Sequence, residues 1–296
     1  MARPFLKWAG GKRQLLTEIE ARLPPDISEC TTYVEPFVGG GAVLFHLLER
    51  YDFETVHISD LNPELTLCYR TLQSDAQSVI DSLQLLIEGY PTDHEERKTV
   101  YYGIRDDWNS LVDELEGLSQ EQEATRVAQT IFLNKTCFNG LFRVNRKGEY
   151  NVPIGRYAKP SFPSAEELLA VQQALRGVII HTAPFQDCVD WSDDSTLVYL
   201  DPPYRPLSTT SHFVSYSRGD FDDEDQRALA EVFRELDRIG ARVLLSNSDP
   251  KNTNADDEFF DELYSGFRIE RVSANRAINS DPDSRGRITE LLIGNG

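Results

Sequence analysis

The chain has 296 residues, of which 40% are hydrophobic, and it carries a net charge of −19 at pH 7. No apolar run reaches the length of about 18 residues that a membrane span needs, and the first motif already begins at Phe5, so neither a membrane segment nor a signal peptide is expected. The four cysteines are too widely spaced for a zinc site, so we expect a reduced, cytoplasmic protein without a metal.

The N-terminal part predicts a β-α-β unit with a glycine-rich first turn. In chain order, its patterns indicate a helix that ends at Pro24, a strand over 32–35, a helix through Val43 and Leu48, and a strand over 55–59. The turn after the first strand is Gly39-Gly40-Gly41, and the second strand ends at Asp60. Glycines let the backbone approach a ligand, and an acid at this place binds ribose hydroxyls. The phosphate-binding spacing of glycines is missing, which favours a phosphate-free adenosyl ligand such as S-adenosylmethionine over a dinucleotide. A tight strand–helix turn without a ligand is the alternative.

The next hundred residues do not read as sheet. Helical patterns run roughly over 63–88, 94–116 and 120–134, and a loop over 135–160 follows them. We therefore predict a mostly helical inserted domain over 63–162, with 1–62 and 163–296 forming the domain that binds the cofactor.

The loop over 135–160 is a basic island in an acidic chain. It has six basic residues and one acid, Glu149, so its net charge is +5 and the remaining residues carry −24. The interleaved aromatic residues Phe138, Phe142, Tyr150 and Tyr157 make the loop resemble a nucleic-acid-binding surface more than a solvated loop.

From about residue 165 the α/β pattern resumes. We predict a helix over 164–176, strands over 177–182 and 196–200, a helix over 222–239, a strand over 241–247, and a closing antiparallel pair over 267–272 and 289–293. The polar segment 205–221 is predicted to be a mobile lid. The fold class is therefore α/β, with a Rossmann-like sheet and the inserted helical domain.

The most informative motif is Asp201-Pro202-Pro203-Tyr204, directly after the apolar strand 196–200. Open α/β sheets bind ligands at the carboxyl ends of their strands. Two prolines make the loop rigid and remove two amide donors, so it offers acceptors and the flat ring of Tyr204. A planar amine, such as that of an extruded nucleobase, suits this loop. An ordinary strand-to-turn exit is the alternative.

In this order, the motifs resemble those of the Dam-type, α-group (D12 class) adenine-specific DNA methyltransferases over nearly the whole chain. The matching segments are Phe5–Lys12, Tyr33–Gly41, Ile58–Asn62, Phe138–Arg143, Gly148–Gly155 and Asp201–Tyr204. After the last segment, the match continues through Pro206-Leu207-Ser208. The resemblance implies methyl transfer from S-adenosylmethionine to the exocyclic amine of adenine in double-stranded DNA, by base flipping and direct displacement.

The resemblance also implies residue roles. The implied cofactor contacts are Trp8, Lys12, Glu35, Phe37, Gly39, Gly41, Asp60, Phe185, Asp187 and Asp201. The implied catalytic residues are Asp201, Pro202 and Tyr204. The predicted DNA contacts are Lys7, Lys135, Phe138, Asn139, Leu141, Arg143, Asn145, Arg146, Lys147, Asn151, Pro153 and Arg156. The resemblance implies that Phe138 wedges into the duplex and that bases are read by Lys7, Leu141, Arg143 and Pro153. From the charge of the loop, we expect phosphates to be held mainly by Lys135, Arg146, Lys147 and Arg156.

Other readings stay open at this point. The loop chemistry also fits a cytosine amine, and related loops serve RNA or protein amine methyltransferases. A non-catalytic DNA-binding relic is disfavoured by the intact Asp201 and Trp8. The target GATC rests on the resemblance alone, and no obligatory protein partner is indicated.

The acidic composition predicts a halophilic source. The chain has 49 acidic residues but only seven lysines among its 30 basic residues. Such chains suit concentrated salt solutions, in which charge repulsion is screened over short distances.

Overall fold

The computed structural model describes residues 1–112, 114–205, 221–275 and 287–296. Its helices are α1 (Leu16–Glu20), α2 (Ala42–Leu48), α3 (Pro63–Glu88), α4 (His94–Ser110), α5 (Gln120–Thr136), α6 (Ala165–Ala174), α7 (Asp223–Arg238) and α8 (Phe259–Leu263). Its strands are β1 (Thr32–Glu35), β2 (Thr55–Asp60), β3 (Ile179–Thr182), β4 (Thr196–Leu200), β5 (Arg242–Ser248), β6 (Arg268–Asn275) and β7 (Arg287–Gly294). The predicted α/β class and the seven predicted strands are confirmed.

The strands form one sheet in the order β3-β2-β1-β4-β5-β7-β6. The first five strands run parallel, and β7 pairs antiparallel with both β5 and β6. The chain builds outward from β1 to β3 and then returns to place β4 on the other side of β1. The carboxyl ends of β1 and β4 therefore form the switch point at which open α/β sheets bind ligands.

Alternate residues of the central strands enter two separate hydrophobic cores. Tyr33 and Leu197 pack with the helices α2, α3 and α5, whereas Val34 and Val198 pack with α7 and α8. All five residues of β4 are buried, as expected for a parallel strand covered by helices on both faces. The strand end that carries Asp201 is thus held on both sides.

Capping residues set where most helices begin. Asn62 caps α3, Asp93 caps α4, and capping boxes start α5, α6 and α7 at Ser119, Ser164 and Asp222. These positions satisfy the first backbone N–H groups of each helix. They explain why the predicted starts agree with the observed ones to within about one residue.

Two predicted helices are longer than the observed ones by more than three residues. The helical pattern up to Leu23 forms a 3-10 turn over Lys12–Gln14 and the short α1. Helix α4 ends at Ser110 instead of residue 116. The Trp108 carbonyl, near this end, accepts a hydrogen bond of 2.8 Å from the buried Arg126 guanidinium, which sequence periodicity does not reveal.

Helix α3 connects the sheet with the helical segment. It packs against β2 and β3 as well as against α5 and α6, and its backbone is kinked at Asp75. Arg126 of α5 binds the Glu64 carboxylate of α3 in a buried ion pair. The division into a catalytic domain and an insert over 63–162 stays a prediction.

Candidate active site

The turn after β1 needs glycine at two positions. Gly39 and Gly41 both have left-handed backbone conformations, with φ of 48° and 73°. A Cβ atom on Gly39 would lie 2.9 Å from Cδ1 of Trp8, and one on Gly41 would lie 2.5 Å from the Tyr69 hydroxyl. That hydroxyl donates to the Gly39 carbonyl at 3.0 Å. The turn is therefore packed directly against Trp8, as expected for two parts of one cofactor site.

Asp60 lies at the end of β2 beside the same turn. Its carboxylate accepts hydrogen bonds from the backbone N–H groups of Asn62 (2.9 Å) and Gly39 (3.3 Å). Burial nevertheless raises the pKa of Asp60 to about 6, since desolvation outweighs these two bonds. A half-buried carboxylate next to the glycine-rich turn is suited to the hydroxyls of a ribose.

The other predicted cofactor residues lie at the end of β1, just after it, and in the 3-10 helix that follows β3. Glu35 is buried at the end of β1 and accepts a hydrogen bond of 2.7 Å from the Tyr33 hydroxyl. Burial raises the pKa of Glu35 well above its usual value, and the negative charge of Asp201 adds to the rise. The rings of Phe37 and Phe185 stack with their centroids 5.3 Å apart, and Asp187 follows in the 3-10 helix Phe185–Val189.

Asp201 is held by side chains from two distant parts of the chain. Its Oδ1 lies 2.6 Å from Nζ of the buried Lys12 and accepts a hydrogen bond of 2.9 Å from the Ser246 hydroxyl. Ser246 in turn lies 2.8 Å from the Tyr199 hydroxyl. Burial raises the pKa of Asp201, whereas Lys12 and Ser246 oppose the rise. Within the described residues both bonds go to Oδ1, which leaves Oδ2 as an acceptor.

The rest of the Asp-Pro-Pro-Tyr loop is anchored to β7 and α7. The Tyr204 hydroxyl accepts a hydrogen bond of 2.8 Å from Lys12 and donates one of 2.7 Å to Glu290 on β7. The Pro203 carbonyl accepts a bond of 3.3 Å from the Gln226 side chain. Pro202 is buried, and Arg205 forms ion pairs with Asp223 and Asp257 at 2.6 and 2.9 Å.

Sequence reasoning missed Ser246, Gln226 and Glu290. The one signal for Ser246 was a run of polar residues at the carboxyl end of β5, beside β4. Gln226 and Glu290 had none, because their contacts depend on pairing across the sheet and on the packing of α7.

A buried asparagine joins the N-terminal segment to the predicted DNA-binding loop. The Asn134 side chain accepts from the Lys7 N–H at 2.7 Å and donates to the carbonyls of Lys7 (2.9 Å) and Gly140 (3.0 Å). Beside it, the Trp8 ring stacks on Phe142 at 5.4 Å. Trp8, a predicted cofactor residue, and the loop are thus in direct contact, and Asn134 was not predicted.

The predicted aromatic surface of the loop over 135–160 is wrong for two of its four residues. Phe142 and Tyr150 are 4% and 2% exposed, and they pack against each other and against Trp108. Their side chains lie inside because residues 143–151 fold back on themselves, with Val144 opposite Tyr150. Phe138 is 50% exposed, and the ring of Tyr157 lies 4.7 Å from Nζ of Lys7.

The fold-back carries three of the predicted base-reading and phosphate-binding residues, Arg143, Arg146 and Lys147. Arg143 donates to the Asn151 side chain at 2.7 Å, and Asn145 holds the tip through the N–H groups of Lys147 and Glu149. The side chains of the following predicted DNA contacts are exposed: Lys7, Phe138, Asn139, Arg146, Lys147, Pro153 and Arg156. Leu141 is half-buried, as is Lys135, whose pKa burial and the nearby Lys7 lower to about 8.

A metal site and a membrane span were both predicted to be absent, and the structure bears on this only in its described ranges. Residues 1–112, 114–205, 221–275 and 287–296 contain no cluster of three metal-binding side chains and no helix long and apolar enough to cross a membrane. The four cysteines are free and buried. Most of the predicted lid over 205–221, including Pro206-Leu207-Ser208, lies outside the described residues.

Comparison with known proteins gives consistent matches along the chain. The family model of the D12 class N6 adenine-specific DNA methyltransferases matches residues 8–278. A type II methyltransferase of Methanocaldococcus jannaschii is 48% identical over 297 residues, which cover 99% of each chain. A type II methyltransferase of Lactococcus lactis subsp. cremoris is 36% identical over 298 residues, covering 99% of this chain and 95% of that one. The DNA adenine methylase of Escherichia coli strain K12 is 34% identical over 290 residues, covering 98% and 94%.

Proposed function

Because the chain belongs to the D12 class of N6 adenine-specific DNA methyltransferases, we propose that it methylates an adenine flipped out of duplex DNA, with S-adenosylmethionine as the donor. Methyl transfer to adenine is the activity of the family. The base-flipping step, the residue roles and the target sequence are the parts that we propose.

The residues around the glycine-rich turn fit an adenosyl methyl donor. Asp60 accepts hydrogen bonds from ribose hydroxyls, and Lys12 pairs with the carboxylate of the methionine part. Trp8, packed on the turn, offers an aromatic face to the sulfonium. When bound, S-adenosylmethionine supplies an electrophilic methyl group, and the protein's part is to place that group in line with the target amine.

The arrangement of Asp201 is the observation that carries the proposal. One carboxylate oxygen is already occupied by Lys12 and Ser246, so the carboxylate has a fixed orientation. Its Oδ2 then accepts a hydrogen bond from the target amine, and the Pro202 carbonyl accepts a second. These bonds localise the lone pair of the adenine nitrogen, which is otherwise delocalised into the ring and is a poor nucleophile. Tyr204 stacks on the flipped base.

The fold-back over 143–151 and the exposed residues around it fit a DNA duplex. Arg146 and Lys147 at its tip are exposed cations that suit phosphates, whereas the half-buried Arg143 is held in place by Asn151 and suits base reading. Phe138 is the exposed apolar residue that suits insertion into the base stack. We propose GATC as the target, on the family resemblance alone.

The test is methyl transfer to plasmid DNA by the wild-type protein and by Asp201→Ala and Asp201→Asn. Losing one preorganised hydrogen-bonding group at a transition state costs about 10²–10³ in rate, so both variants should lose most activity while DNA binding persists. Asp256→Ala, which removes an exposed carboxylate outside the site, is the matched control and should keep the wild-type rate.

Product analysis separates the alternatives. Digestion and mass spectrometry should find the methyl group on the exocyclic amine of adenine, and mapping of the modified positions gives the target sequence. Methylated cytosine, or methylated RNA or protein in place of DNA, would contradict the proposed substrate. A wild-type rate for Asp201→Ala would refute the proposed mechanism.

A further inference from the structure

Glu290 makes a contact with the catalytic loop that the methyl-transfer chemistry itself does not require. Its carboxylate accepts a hydrogen bond of 2.7 Å from the hydroxyl of Tyr204, across 86 residues of sequence. Glu290 lies inside the sheet, where it pairs with Ser248 of β5 on one side and Val272 of β6 on the other. The residues that follow it, Leu291, Leu292 and Ile293, are buried in the two cores. Its backbone is therefore one of the most firmly held in the site.

The Tyr204 hydroxyl has two partners, and they differ in what else they must do. Lys12 donates to the hydroxyl at 2.8 Å, but the same ammonium group also binds Asp201 at 2.6 Å and the Gly10 carbonyl at 3.0 Å. Of these two partners, Lys12 donates to the hydroxyl, whereas Glu290 accepts the hydroxyl proton. A strand residue that accepts from the hydroxyl fixes the rotation of the Tyr204 side chain whether or not Lys12 moves.

From this geometry we infer that Glu290 is a positioning residue, which holds the ring of Tyr204 in the plane required to stack on the target base. The inference rests on the proposed stacking role of Tyr204. Glu290 does not touch the reacting atoms. It acts through the hydroxyl of Tyr204, so its removal should impair the geometry of the bound base and leave cofactor and DNA binding intact.

Steady-state kinetics of four variants test the inference. Glu290→Ala should lower kcat by roughly 10- to 100-fold with little change in KM for DNA, because small misplacements near a reacting group have effects of this size. Tyr204→Phe keeps the ring but loses the hydroxyl, so it should show a similar loss. The double variant should be no worse than Tyr204→Phe alone, because that variant already lacks the hydrogen bond that Glu290→Ala removes. Glu290→Gln keeps an acceptor of the same length and should retain most of the rate.

The matched control is Glu270→Ala on the neighbouring strand β6. Glu270 pairs with Arg22 at 2.8 Å and with Arg268 at 3.4 Å, and among the described residues it forms no hydrogen bond or ion pair with the catalytic loop, so its loss should not change kcat. Thermal melting of every variant separates impaired positioning from impaired folding. If Glu290→Ala fails to fold, Glu290→Gln and Tyr204→Phe still provide the test.

A fluorescent base gives a second readout that a merely structural role would not move. A duplex with 2-aminopurine at the target position should become brighter with Glu290→Ala than with the wild type, because the flipped base is no longer stacked on a fixed ring. A wild-type kcat for Glu290→Ala or Tyr204→Phe, or additive losses in the double variant, would overturn the inference. Tyr204→Ala distinguishes this failure from that of the proposed function: if it too is fully active, the stacking role itself is wrong.

Discussion

Cofactor binding should weaken as the pH falls through about 6, because Asp60 must be ionised to accept hydrogen bonds from both ribose hydroxyls. Burial raises the pKa of Asp60 to about 6, in spite of the N–H groups of Gly39 and Asn62. A group with this pKa is about nine-tenths ionised at pH 7 and about one-tenth ionised at pH 5. If the ionised form alone binds, the dissociation constant rises about tenfold between these two pH values.

Asp60→Asn is the matched variant, since it keeps the size of the side chain but cannot ionise. Hydrogen bonds to a charged group contribute about 1.5–3 kcal/mol, so the variant should bind S-adenosylhomocysteine more weakly at pH 7. Its affinity should also lack the step near pH 6. Calorimetric titration of both proteins from pH 5 to pH 8 measures this, and the ratio of their dissociation constants cancels the titration of the ligand itself.

The raised pKa of Asp60 should also make the stability of the fold depend on pH. Asp60 has a raised pKa in the folded state, so its contribution to stability is fully present below its unfolded pKa and is lost as the pH rises through about 6. The melting temperature of Asp60→Asn should therefore improve relative to wild type between pH 4 and pH 7. A wild-type affinity that is flat from pH 5 to pH 7, or an equal step in Asp60→Asn, would show that Asp60 does not bind the ribose.

Three further predictions concern the fold-back over 143–151, salt and the exit of the Asp-Pro-Pro-Tyr loop. Arg143→Ala should relax discrimination at one base pair by about 1–3 kcal/mol, whereas Lys147→Ala should weaken all sequences about equally; uniform losses in both variants would contradict the division of roles. Activity should rise with the KCl concentration until contacts with DNA phosphates are screened, because the chain outside the basic loop carries a net charge of −24. An activity optimum at about 50 mM KCl would show that the halophile prediction is wrong. Arg205→Ala removes the ion pairs with Asp223 and Asp257 and should lower the free energy of unfolding by about 1–2 kcal/mol, as measured by denaturant titration. A fall in kcat with unchanged stability would instead indicate that Arg205 acts only on the loop.

Local patterns were enough to predict the strands and the residues at their ends. Buried strands, glycines and prolines carry their signal within a few residues, so Gly39, Asp60 and Asp201 were found at the edge where the structure brings them together. The side chains that hold Asp201, Tyr204 and Lys7 were not found, because Ser246, Glu290 and Asn134 contact these residues across 45, 86 and 127 positions of the sequence. Such contacts depend on which strands and loops become neighbours.

The aromatic residues of the basic loop show a second limit of sequence reasoning. Alternating basic and aromatic residues indicate a nucleic-acid surface only if both types lie on the same face. The fold-back over 143–151 instead places Phe142 and Tyr150 inside, while Arg146 and Lys147 stay exposed. Composition predicted the charge of this surface but not which side chains form it.

The position of β7 has a consequence for biosynthesis. This strand is made after every other strand of the sheet, yet it lies in the interior, between β5 and β6. While the ribosome is still adding residues 287–294, β6 lacks its pairing partner and one edge of β5 is open. Pairing between distant segments is slow, and unpaired strand edges favour aggregation. A nascent chain therefore cannot complete its sheet, or bring Glu290 to Tyr204, until β7 has left the exit tunnel. A chain truncated before residue 287 would leave one edge of β5 unpaired and would lack the contact between Glu290 and Tyr204.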